Sequence, residues 1–161
     1  MLEEYVLGGM MMSNECIFTV LGILKEECFY KEAHQKIFLA INKLFKSNNP
    51  VDISTVINEL KKSNEIENVG GVHYISSLTS NIGSSANVEL HARIISEKFM
   101  RRELIRVSRE TSSMAYDESK DVFEIVENND LLINTINELT FVDQTQNIEC
   151  VLNNSVLEIK K

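Results

Sequence analysis

The chain has 161 residues, 43% of them hydrophobic and 25% charged, which suits one soluble core with an appendage. Its net charge of −8 excludes a domain that grips nucleic acid through a broad basic face. The apolar runs are too short for a membrane span, and the N-terminus lacks the basic start, apolar core and cleavage site of a signal peptide. Cys16, Cys28 and Cys150 are scattered, odd in number and without a CxxC pair, which fits a reducing, cytoplasmic compartment. One proline, six glycines and no tryptophan favour an all-α fold.

Taken in order, Leu2 to Met12 reads as a short helix, and Met10-Met11-Met12 reads as core filler rather than a soft metal site. Ser13 is a candidate N-cap for a second helix carrying Ile17, Val20, Leu21 and Leu24, and Phe29-Tyr30 closes that unit. Lys31 to Ser47 is a third helix, with His34, Ile37, Phe38, Ile41, Leu44 and Phe45 on one face. Asn48-Asn49-Pro50 stops it, because Asn tolerates the left-handed conformation and Pro cannot continue a helix. Asp52 caps a fourth helix, Ile53 to Lys62. Asn68-Val69-Gly70-Gly71 is a turn, Val72 to Thr79 a short helix, and residues 81–85 a loop whose Ser85 can cap the next element.

That next element is a long helix, Ala86 to Met114, roughly 40–45 Å at the rise of an α-helix. Met100, Leu104, Val107, Thr111 and Met114 recur four and three apart, the period of a stripe on one side. A polar break, Tyr116 to Asp121, leads to a second helix with Val122, Val126, Ile133 and Ile136 on one seam and Ile125, Leu132 and Leu139 on a neighbouring one. So short a connection makes the two helices antiparallel neighbours. Each carries more apolar surface than the other can cover, so the hairpin is expected to pack against a second copy through Met100, Leu104, Val107, Thr111, Met114, Ile125, Leu132, Ile136 and Leu139. The expected architecture is all-α: a globular multi-helix head at 1–96, a long antiparallel hairpin at 97–140, and a linker with the start of a linker helix at 141–161. In the last stretch Ile148, Val151, Leu152, Val156, Leu157 and Ile159 repeat at helical spacing, in a segment too short to be stable alone.

Signs of catalysis are missing from the sequence. No GxxxxGK[ST] loop follows Gly8-Gly9 or Gly70-Gly71, and GxGxxG, GxSxG and HExxH are absent. His34, His73 and His91 lie far apart without carboxylates at ligand spacing, so no metal, cofactor or catalytic residue is expected within these residues. Lys98, Arg102, Arg106 and Arg109 share a side of the long helix. They read either as a solvated face or as a polar contact for an acidic partner or a nucleic-acid backbone, diluted by Glu97, Glu103 and Glu110.

One ordered set of motifs goes further. It opens with Glu4-Tyr5-Val6-Leu7-Gly8, Phe29-Tyr30, His34-Gln35-Lys36-Ile37-Phe38, Pro50-Val51-Asp52 and Val56 to Leu60. Val69-Gly70-Gly71 with Tyr74-Ile75, Ser85-Ala86-Asn87, Ala92, Ile94-Ile95 and Arg101-Arg102-Glu103-Leu104 complete it. In this order and spacing the chain resembles the N-terminal domain of the bacterial replicative DNA helicase, the DnaB family. The resemblance implies a helical head followed by a hairpin that pairs between subunits, building dimers and a hexamer as a trimer of dimers. It implies a collar that docks the DnaG primase and, in some bacteria, a helicase loader during DNA replication. It also makes residues 148–159 similar to the linker helix that leads to a RecA-like ATPase domain. That domain, with its ATP, Mg and most of its DNA contacts, is absent from the sequence. The implied role is therefore assembly and docking without ATP hydrolysis or unwinding; the alternative is a stand-alone collar mimic acting as adaptor or inhibitor.

Overall fold

A computed structural model describes residues 2–80 and 87–140, with side chains as far as 137. Among these residues the chain is helical and contains no strand: α1 (Leu2–Met12), α2 (Asn14–Leu21), a 3₁₀ turn (Glu26–Cys28), α3 (Glu32–Lys46), α4 (Ile53–Lys62), α5 (Gly71–Ser80), α6 (Val88–Ala115) and α7 (Val122–Thr140). The chain divides into two compact units after Phe99, and α6 contributes to both.

The head takes its form from local signals. Asp52 accepts from the Thr55 amide at 2.9 Å, and the Asp52 amide donates to Thr55 Oγ1 at 2.9 Å, so the N-terminus of α4 is closed by a reciprocal capping box. Asn48 adopts φ 54° just past α3, as its short polar side chain allows. Ser13 has the extended backbone of an N-cap, but its side chain makes no capping hydrogen bond. One boundary differs from expectation: α2 ends at Leu21, and Gly22 caps it by donating to the Phe18 carbonyl at 3.2 Å. Leu24 therefore enters the core from the following turn and is 1% exposed. Its burial gave it a helical spacing that the backbone does not continue. The predicted Ser85 cap and the 148–159 helix lie outside the described residues.

The core of the head forms where the amphipathic faces meet. Leu7, Met10, Ile17, Phe29, Phe38 and Ile41 are among its fully buried side chains. The Phe29 and Phe38 rings pack at 5.0 Å between centroids. Met10 and Met11 are buried, as core filling predicts, whereas Met12, the last residue of α1, is exposed and fills no core.

Gly9 marks the closest approach in the head. A Cβ placed there would run into the Cγ2 methyl of Val88, itself buried. Val88 is short and branched and cannot swing aside. We therefore expect Gly9→Ala to lower stability by about 1–2 kcal/mol, against the usual gain for Gly→Ala in a helix. A thermal melt checks the sign, and Val88→Ala in the same chain should recover most of the loss.

Candidate assembly surface

The second unit is built from α7 and α6 from Met100 onward. The connection between the helices is fixed by Asp117, whose Oδ1 accepts from the Ser119 amide at 3.1 Å and the Ser119 hydroxyl at 2.6 Å. Asp121 caps α7 by accepting from the Phe123 amide at 2.7 Å. Thr111 Oγ1 donates to Asn129 Oδ1 at 2.8 Å, and Asn128 Nδ2 lies 3.7 Å from Met114 Sδ. These two ties set α6 and α7 side by side and antiparallel.

Burial sorts the predicted interface residues with described side chains into three groups. Val107, Ile125 and Ile136 are buried within the single chain and form the seam of the hairpin. Met100, Thr111, Met114 and Leu132 are half-buried beside it. Leu104 stands on the outside, 46% exposed, and the Leu139 side chain lies outside the described ones. The two seams expected on α7 divide differently: Ile136, grouped by spacing with Val122, Val126 and Ile133, is buried like Ile125 of the neighbouring seam, whereas those three are exposed.

The sequence reading missed Ile105, Phe123 and Leu131, all exposed on the hairpin. They lie off the stripes that periodicity selects, and nothing in the sequence marks them out. Together with Leu104, Val122, Val126 and Ile133 they give the hairpin more exposed apolar surface than scattered single residues would. A shallow groove of about 650 Å³ runs along α6, lined by Leu104, Ile105, Ser108, Arg109, Ser112, Ser113 and Tyr116. Tyr116, read as part of a polar break, contributes an exposed ring to it.

The basic cluster is not a free positive face. Arg106 donates through Nε to Glu103 at 2.9 Å and through Nη1 to Glu110 at 3.0 Å. The spacings of three and four residues make these pairs along one helix. Arg102 is half-buried, Lys98 is exposed, and Arg109 lies at the edge of the apolar groove.

A second polar cluster sits inside the head. His34 on α3 is 1% exposed; its Nδ1 lies 2.5 Å from Glu3 Oε2 and its Nε2 lies 2.7 Å from the Tyr74 hydroxyl. Tyr74 on α5 in turn donates to Glu4 Oε1 at 3.2 Å, and Lys31 Nζ reaches the same oxygen at 3.3 Å. Burial pushes the Glu3 carboxyl up, but the His34 contact and the Tyr30 amide, donating at 2.7 Å, outweigh it and hold the group below the ordinary 4.5. Burial, then the Glu4 charge, pushes the Tyr74 hydroxyl up to about 12. The fold thus brings a carboxylate to His34 from 31 residues away, which sequence spacing could not show. Among the described residues no three His, Cys, Asp or Glu side chains converge to hold a metal ion, and no helix is long and apolar enough to cross a membrane.

Residues 1–97 match the family described as the DnaB-like helicase N terminal domain. Over 126 residues the chain is 46% identical to the replicative DNA helicase DnaB of Rhodothermus marinus, a match covering 78% of this chain and 13% of that protein. Over 150 residues it is 33% identical to the replicative DNA helicase DnaB of Geobacillus stearothermophilus, covering 93% of this chain and 33% of the relative. The chain therefore spans a third or less of the length of these two relatives. The crystal structure of the N-terminal domain of DnaB helicase from Mycobacterium tuberculosis matches with a TM-score of 0.78 at 33% identity, over 83% of this chain and 94% of that one. A structure of a DnaB-like replicative helicase and its interactions with primase shares the fold, with a TM-score of 0.69 at 20% identity, over 83% of this chain and 30% of that one.

Proposed function

The chain belongs to the family of DnaB-like helicase N-terminal domains, and on that premise we propose that it is the collar of a replicative helicase, a domain that assembles subunits and docks partners without chemistry of its own. The observation that carries the reading is the apolar face left open on the hairpin. Val122, Val126 and Ile133 line one flank of α7 beside the buried seam, and all three are exposed. With the helices antiparallel, helical geometry puts Leu104 of α6 on the same side. A face of this kind suits a second hairpin related by a two-fold axis, where each apolar residue meets its counterpart. Repeated pairing would give the dimer and then the hexamer as a trimer of dimers.

The partners follow from the same premise. Primase is the first candidate, in keeping with the DnaB-like helicase whose interactions with primase have been solved; a helicase loader is the second. ATP and Mg would belong to a motor domain outside this sequence, as would most contacts with DNA, in a cytoplasmic replication assembly. The acidic balance of −8 agrees with that division.

Light scattering on the purified chain tests the assembly half. The expected species at high micromolar concentration is a dimer or larger, dissociating on dilution. A strictly monomeric species throughout would overturn the proposal.

A further inference from the structure

The cluster around His34 is not explained by assembly, and its hydrogen atoms can be counted. The titratable and charged groups that face the ring are Glu3 and Glu4 from α1, Lys31 just ahead of α3, and Tyr74 from α5. Three contacts need a hydrogen each: His34 to Glu3, His34 to Tyr74, and Tyr74 to Glu4. Glu3 is a carboxylate and brings none. Glu4 accepts from Lys31 and from Tyr74 and brings none. Tyr74 brings one, and its direction is toward Glu4. The remaining two must come from His34, one from each ring nitrogen. With a single ring hydrogen, the Tyr74 oxygen would face a lone pair either at Nε2 or at Glu4.

From this count we infer that His34 is held with both ring nitrogens protonated, and that the His34–Tyr74–Glu4 chain is a proton-dependent latch tying α1 to α3 and α5. Loss of one ring proton leaves Tyr74 able to satisfy one neighbour and not both. The tie that remains short is the one to His34, at 2.7 Å against 3.2 Å, so the link to Glu4 on α1 opens. The Glu3 contact to Nδ1 persists, because Nδ1 keeps its hydrogen toward the carboxylate. The latch therefore loosens the first turn of α1 and leaves the remainder of the head in place.

The test combines two measurements on the whole chain. Nitrogen-detected NMR of the His34 ring should show hydrogens on both nitrogens under conditions where the latch is closed. Amide exchange, corrected for its intrinsic pH dependence, should then quicken on the order of tenfold at Val6 and Leu7, the amides that close the first turn of α1 on its own carbonyls, as the ring loses a proton, while α3 holds its protection. Tyr74→Phe removes both hydroxyl contacts with little change of shape. It should raise exchange in that turn at every pH and abolish the pH-dependent step. A singly protonated ring in the folded chain would overturn the inference, as would a pH-dependent step that survives in Tyr74→Phe.

Discussion

Replacing Leu104 and Val126 together by aspartate should give a chain that is folded and monomeric where the unaltered chain self-associates. Both side chains are about half exposed in the single chain, so the substitutions cost the isolated fold little. In a paired hairpin each carboxylate would be taken out of water opposite an apolar neighbour, at a cost of at least a few kcal/mol per site. Every 1.4 kcal/mol is a factor of about ten, so association should weaken by roughly a thousandfold or more. Sedimentation reads the mass and circular dichroism the helix content. Unchanged mass would show that another face does the pairing. Val107→Asp is the informative contrast: Val107 is 3% exposed, so this change should melt the hairpin itself and reduce helicity before any question of pairing arises.

His34→Ala should be the most damaging single change in the head. It removes a buried ring and leaves a cavity. It also strips Glu3 and Tyr74 of a partner, and Glu3 is itself well covered, with 16% of its side chain exposed. Taking one member from such a pair costs about 3–5 kcal/mol when both are buried. That is a large part of the total stability of a small domain. Chemical denaturation should show a clearly lower midpoint, or a head that does not fold. Glu3→Gln keeps the shape and a hydrogen-bonding group, so it should be the milder of the two. Equal losses in both variants would mean that the contact with the Glu3 carboxylate carries the effect and the ring's volume adds nothing, whereas no loss in Glu3→Gln would mean that the ring contributes only volume.

Much of this arrangement could be read from residue spacing, because a helix facing a core announces itself through its period. The cap at Asp52 and the left-handed Asn48 are local patterns, and they appear where the pattern puts them, whereas Ile136 is buried although its spacing grouped it with Val122, Val126 and Ile133, which are exposed. What spacing does not encode is how much of a stripe its own partner covers. Val107 and Leu104 belong to one stripe, yet one is buried and the other exposed, since an antiparallel neighbour covers only part of an apolar arc. Ile105 and Phe123 sit outside any stripe, so their exposure is a property of the folded hairpin alone. His34 meeting Glu3, and Gly9 meeting Val88, are tertiary encounters between distant parts of the chain. The basic cluster was legible in a different way: Glu103 and Glu110 stand three and four residues from Arg106, the reach of pairs along one helix.

Those pairs bear on how subunits would recognise one another. An arginine flanked by carboxylates on its own helix presents little net field to an approaching molecule. Encounter between hairpins would therefore gain nothing from long-range steering, and ordinary ionic strength, with a Debye length of about 8–10 Å, would screen a repulsion between two chains of −8 each and not an attraction. Union would instead depend on expelling water from hydrocarbon, a process that excluded salts such as sulfate strengthen and that cooling weakens.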